Sequence, residues 1–184
     1  MIHHISIPAT NPLQIMEDRF IPHPDRENLA INCAVITVSD TRTEETDRSG
    51  QIIQQLLISA AHQIAAYVII KDEPTQIKSL LEQLGDRSDL DVLIFNGGTG
   101  IAPRDTTFDA ISNLLEKTLP GFGEIFRYLS YQEIGSRAIA SRAVAGIYQQ
   151  KLIFSLPGSS NAVKLALEKL ILPELNHLVT LCTG

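Results

Sequence analysis

The sequence predicts an α/β fold, a three-layer sandwich in which helices cover both faces of a mostly parallel sheet. Three observations carry that expectation. Short β-branched apolar runs alternate with segments of helical periodicity. The runs are continuously apolar, the pattern of strands buried on both faces. Each run also empties into a polar or glycine-rich stretch that leads to the next helix.

Taken in order, INCAVITVSD reads as a buried strand. In DRSGQIIQQLLISAAHQ, residues Ile52, Ile53, Leu56, Leu57 and Ala60 fall on one helical stripe. IAAYVII is a second strand, and TQIKSLLEQLG a second helix with Gly85 as its expected C-cap. DVLIFN is a third strand, followed by a helix expected from Thr106 to Lys117, with Thr106 and Asp109 at capping-box spacing. GEIFRYLSYQEIG reads as helix, RAVAGIYQQKLIFSLP as two strands around a Gln-Gln turn, and SSNAVKLALEKLILPEL as a closing amphipathic helix. Residues 1–29, with four prolines and little periodicity, read as an arm that is loose or docks on a neighbour. Residues 30–184 read as one domain.

Bulk composition narrows the function classes. The 184 residues are 44% hydrophobic, enough for one core of the usual size, about 100–200 residues. A net charge of −6 argues against a nucleic-acid binder, which needs a basic face. It leaves room for a small anion held by a few arginines and backbone N–H groups. Cys33 and Cys182 make neither a disulfide framework nor a zinc knuckle, and His3-His4 lacks partners at ligand spacing. No export or membrane segment is legible, so a cytoplasmic location is expected.

In doubly wound sheets, ligands gather at the carboxyl ends of the strands. Four loops leave such ends. SDTRTEETDRSG, from Ser39 to Gly50, reads by itself as a solvated loop with an N-cap. In KDEPT, Asp72 by itself reads as a turn residue. The third loop, Asn96-Gly97-Gly98-Thr99-Gly100, lets backbone N–H groups approach an anion. It is no Walker loop, since Ile101-Ala102 stand where Lys-Ser/Thr is required, and Pro103 breaks the dinucleotide fingerprint. Behind it lie Arg104, able to clamp phosphate or carboxylate, and Asp105. An aspartate beside phosphate makes sense with a cation between them, so Asp105, joined by Asp72, is a candidate magnesium ligand. The alternative is that Asp105 only caps the next helix. The fourth loop, Pro157-Gly158-Ser159-Ser160-Asn161, offers a second anion site. Covalent catalysis has no support: there is no nucleophile elbow, and neither cysteine has a neighbouring base in the sequence.

Together, GGTGIAPRD, LPGFGE at 119–124, Ser141-Arg142 and LPGSSNA at 156–162 resemble the MoaB/MogA family of molybdenum cofactor biosynthesis. The strand ending VSDTRT and DRSG at 47–50 fit as well, and QEIGSRAIASRAVAG looks closer to the MoaB branch. The resemblance implies a MogA-like molybdopterin-binding fold that assembles as a trimer or hexamer. It implies molybdopterin as ligand and Mg²⁺ with ATP as co-substrate, with adenylylated molybdopterin and pyrophosphate as products. Asp72 and Asp105 match the family's two functional aspartates, as catalytic residues and metal ligands. Ser39, Asp40, Asp47, Gly97, Gly98, Thr99, Gly100, Arg104, Ser141, Arg142, Pro157, Gly158, Ser159 and Ser160 are the expected substrate contacts. The runner-up is a pterin-binding or carrier protein that does not adenylylate. A nucleotide pyrophosphatase resembling CinA-like domains ranks third.

Overall fold

The computed structural model describes residues 29–183. The expected arm and its His3-His4 pair fall outside them, apart from Leu29. Six strands form one mixed sheet in the order β2-β1-β3-β6-β5-β4. They are β1 (Asn32–Val38), β2 (Gln63–Ile70), β3 (Val92–Asn96), β4 (Lys117–Thr118), β5 (Val144–Tyr148) and β6 (Lys151–Leu156). β2, β1, β3 and β6 run parallel, whereas β5 and β4 join antiparallel at one edge.

Strand alternation sorts side chains into two cores. Cys33 and Val35 of β1, Val92 and Ile94 of β3, and Leu152 and Phe154 of β6 face one layer. Their neighbours Ala34 and Ile36, Leu93 and Phe95, and Ile153 face the other. Helix α1 (Arg48–Ser59) contributes Ile53 and Leu57 to the first core. Helices α4 (Pro120–Ile134), α5 (Ser160–Ala166) and α6 (Leu172–Thr183) belong to the same layer. Helices α2 (Pro74–Gly85) and α3 (Thr107–Ser112) cover the second core through Ile77, Leu81 and Ile111. Both faces are covered, which is why the central strands read as unbroken apolar runs.

Topology places the crevice. From β1 the chain passes through α1 to β2 on one side, then through α2 from β2 to β3 on the other side of β1. The strand order therefore switches between β1 and β3, and their carboxyl ends open a cleft there.

Several local expectations need correcting. Gly85 is the last helical residue of α2, and Asp86 is the C-cap. A Cβ on Gly85 would lie 2.2 Å from Gln149 Oε1, the free end of a flexible side chain, and 3.0 Å from the Tyr148 ring. α3 stops at Ser112, and Lys117-Thr118 instead pair with Gly146-Ile147 of β5. The Gln-Gln turn is present, with φ of 45° at Gln149 and 61° at Gln150, the left-handed pair a two-residue hairpin requires. The closing helix continues through a wide turn, Leu167–Ile171, before α6. There the Leu172 N–H donates to Leu167 O, one residue beyond the α-helical partner. That widening sits just ahead of Pro173, which has no N–H to give.

Candidate functional site

A cavity of about 470 Å³ opens where β1, β3 and β6 end. Ser39, Gly97 through Gly100, and Pro157-Gly158 line it, so the first, third and fourth loops meet there as expected. Arg42, Arg137 and Ser141 complete its polar wall. The Gly-Gly pair is demanded by shape. At Gly97, φ is +102° and a Cβ would stand 2.2 Å from the Val38 carbonyl oxygen. At Gly98, φ is +60° and a Cβ would meet Thr107 Oγ1 at 2.1 Å and Asp72 Oδ2 at 2.3 Å.

An adjoining cavity of about 270 Å³ gathers Asp40, Asp72, Arg104 and Asp105 around Gly98. Asp72 is more than a turn residue. Its Oδ1 accepts from the Thr106 N–H at 3.1 Å, from the Thr106 hydroxyl at 2.8 Å and from the Thr107 hydroxyl at 3.2 Å. The expected Thr106–Asp109 capping box does not form, because Thr106 makes no side-chain cap bond on α3. Asp72, 34 positions away, satisfies that helix start instead. Asp105 Oδ2 accepts from the Ala102 N–H at 3.1 Å, closing its own loop. Asp40 pairs with Arg104, and its Oδ1 accepts from the Asp72 N–H at 3.4 Å.

Asp72 Oδ2 and Asp105 Oδ1 make no hydrogen bond among the described residues. No three acidic, histidine or cysteine side chains among those residues form a self-sufficient metal cage. Two carboxylates on one open cavity suit a hard cation that completes its shell with water and substrate phosphate. The donor set fits magnesium.

Behind the larger cavity the first loop is solvated from Asp40 to Thr46, with only Ser39 and Arg42 half-buried, and ends in an N-cap as expected, but the capping residue is drawn inward. Asp47 is fully buried. Its Oδ2 accepts from Thr37 Oγ1 and, at 2.8 Å, from the Tyr67 hydroxyl. Its Oδ1 accepts from the Gly50 N–H at 3.1 Å, capping α1, and faces Arg42 Nη1 at 3.3 Å. Burial by itself would raise the carboxyl, but donation from Thr37, Gly50, Tyr67 and Ser49 holds it below its ordinary value. Tyr67 is pushed up, first by burial and then by Asp47. The single Ser49 hydroxyl hydrogen is shared between Asn96 Oδ1 at 2.8 Å and Asp47 Oδ1 at 3.1 Å, and the Asn96 amide donates to Thr37 Oγ1 at 2.9 Å. Loop, helix start and strand end are thereby welded into one polar network.

The remaining expected contacts scatter. Asp47 lies behind the wall rather than on it. Ser159 caps α5, its Oγ accepting from the Ala162 N–H at 3.2 Å, and Ser160 opens that helix. Arg142 turns away from the main cavity. Its guanidinium lies 4.2 Å above the Phe108 ring and pairs with Asp109 at 2.7 Å, beside a separate pocket of about 490 Å³. Arg42 and Arg137 are the functional candidates the sequence reading missed. Cys33 is buried, and its thiol is pushed up to about 12 by burial and then by Asp91, which suits a core residue better than a nucleophile.

Residues 34–177 match the protein-family model described as "Probable molybdopterin binding domain". The chain is 58% identical over 151 residues to molybdenum cofactor biosynthesis protein B of Bacillus subtilis (strain 168), spanning 81% of this chain and 88% of that one. To the protein of the same name from Halalkalibacterium halodurans it is 53% identical over 150 residues, with the same coverage of 81% and 88%. A crystal structure of a molybdenum cofactor biosynthesis protein B matches with a TM-score of 0.83 at 48% identity, over 86% of this chain and 99% of the other. The chain therefore belongs to the molybdenum cofactor biosynthesis protein B family.

Proposed function

We propose that this protein binds molybdopterin and adenylylates it with Mg-ATP, releasing pyrophosphate. One observation carries the reading: two adjoining cavities share Val38, Ser39, Thr41 and Gly98 but differ in charge. The smaller is lined by Asp40, Asp72 and Asp105 with Arg104. The larger is lined by Arg42 and Arg137 and no carboxylate. A nucleotide triphosphate accompanied by magnesium suits the aspartate side, and an unaccompanied phosphate monoester suits the arginine side.

In this reading an oxygen of the pterin's terminal phosphate attacks the α-phosphorus of ATP. The bond from that phosphorus to the β-bridging oxygen breaks, and pyrophosphate departs with the electron pair. The protein positions both ligands and offsets their charge, as phosphoryl-transfer sites generally do. Asp72 and Asp105 would hold the magnesium, which would neutralise phosphate charge when bound. Gly98, Thr99 and Gly100 would present backbone N–H groups to phosphate, and Ser141 would face the pterin-bearing cavity.

Titration calorimetry on Asp105→Ala tests this partition. Mg-ATP affinity is expected to fall about 10-fold or more, the weight of a charge-assisted contact, with pterin affinity unchanged. Undiminished Mg-ATP binding would remove Asp105 from the metal site. Pterin binding without ATP turnover in the unaltered protein would favour a carrier.

Self-assembly belongs to the same proposal. The helix α4 aromatics divide: Phe126 is buried and Phe122 packs on Phe154 at 5.2 Å, but Tyr128 and Tyr131 are exposed. With Ile125, Ile134 and Ile139, the last of them 87% exposed, they leave apolar side chains exposed along α4 and the turn after it, a surface suited to a second copy of the chain.

A further inference from the structure

We propose that Arg42 is an anion-binding residue of the larger cavity, reading the ligand's phosphate monoester, and that Asp47 is the positioning residue that aims it. This rests on reading that cavity as the molybdopterin site.

The donor inventory is the first support. A guanidinium carries five N–H donors. Arg42 uses three: Nη1 donates to Asp47 Oδ1 at 3.3 Å and to Ser49 Oγ, and Nη2 donates to the Gly158 carbonyl at 2.8 Å. Nε–H and one Nη2 hydrogen have no partner among the described residues. The side chain is 31% exposed and lines the cavity, whereas Asp47 is wholly buried behind it. Arg42 also borders a second cavity that holds Asp40 and Glu44, so of its two borders the larger cavity, which has no carboxylate, is the one where an anion would meet these donors.

The second support is rigidity. A surface arginine samples many rotamers, and freezing one on binding weakens affinity. Here the guanidinium is fixed beforehand. Asp47 is itself held by Thr37, Tyr67 and Gly50, so the aim of Arg42 is set by β1, β2 and the start of α1 together. Through Gly158, Arg42 also ties the first loop to the fourth across the cavity. A merely solvating arginine needs none of these constraints.

The experiment compares molybdopterin with the same pterin after phosphatase treatment, by anaerobic fluorescence titration. Arg42→Gln is expected to weaken the phosphorylated pterin about 10- to 100-fold, the range for a charged hydrogen-bonded contact, and to leave the dephosphorylated form unchanged. Asp47→Asn is expected to reproduce that phosphate-confined loss, about 10-fold. Combined with Arg42→Gln it should add nothing, because both changes remove the same interaction. Arg42→Lys, a point charge without the fork, should recover little. If Asp47→Asn fails to fold, Ser49→Ala removes the other Nη1 acceptor and should show a smaller, equally phosphate-confined loss. Equal weakening of both pterins by Asp47→Asn would assign it a purely structural role and overturn the positioning claim. Unaltered protein that binds both forms equally overturns this inference and leaves the pterin site standing. Protein that binds neither removes the underlying reading too.

Discussion

Gly98 shows how tightly single atoms define the site. A methyl group there would occupy the space of Asp72 Oδ2 and strain a φ of +60°. Gly98→Ala is expected to cost about 1–2 kcal/mol of stability and to displace Asp72, lowering Mg-ATP affinity. Calorimetry and thermal melting measure the two effects separately. Asp47 carries a pH signature. Its carboxyl is held below the ordinary value in the folded protein, facing Arg42 and Tyr67, with Glu44 acting on Tyr67. Its contribution is therefore complete above the unfolded-state value of about 4 and is lost as pH falls through the folded one. Asp47→Asn should melt at lower temperature near neutrality and show a shallower decline as pH falls below about 4. An unchanged acid profile would remove Asp47 from the linkage.

At the scale of elements, the strands and most helices were legible because periodicity is local. Continuous apolar runs marked β1 and β3, and Ile53 and Leu57 marked the buried stripe of α1. What stayed hidden was settled by partners distant in sequence. Thr106 and Asp109 stand at capping-box spacing, but the acceptor that Thr106 finds is Asp72 from the preceding crossover. Lys117 reads as the end of a helix until β5 lies beside it. Arg42 looks like one more charge in an acidic loop, since Gly158 is 116 residues away. The hairpin yields a prediction of its own. Gln150 sits at φ 61° without glycine's freedom. Gln150→Gly should relieve that strain, net of added chain entropy, by about 0.5–1 kcal/mol, and raise the melting temperature by about 2 °C. A lower melting temperature would mean the Gln150 side chain contributes more than its backbone costs.

For the molecule as a whole, the doubly wound order placed the cleft where the sequence reading expected it, and the charge division across that cleft emerged only from the assembled loops. Asp72 and Asp105, singled out in the sequence as candidates, line one cavity. Arg142, expected as a substrate contact, stacks on Phe108 and borders a neighbouring pocket that Asp105 also lines. Assembly is tested on α4 and the turn that follows it: replacing Tyr128 of the helix and Ile139 of that turn by glutamate should shift light scattering toward smaller species without lowering the melting temperature of the subunit. An unchanged assembly would move the interface elsewhere. The central claim concerns the chemistry of the paired cavities. Its most direct test is incubation of the protein with molybdopterin and Mg-ATP, reading adenylylated pterin by mass beside Asp105→Ala. Adenylylated pterin and pyrophosphate in equal amounts, both absent with the variant, is the predicted result. Tight pterin binding with no adenylylated product from the unaltered protein would contradict it.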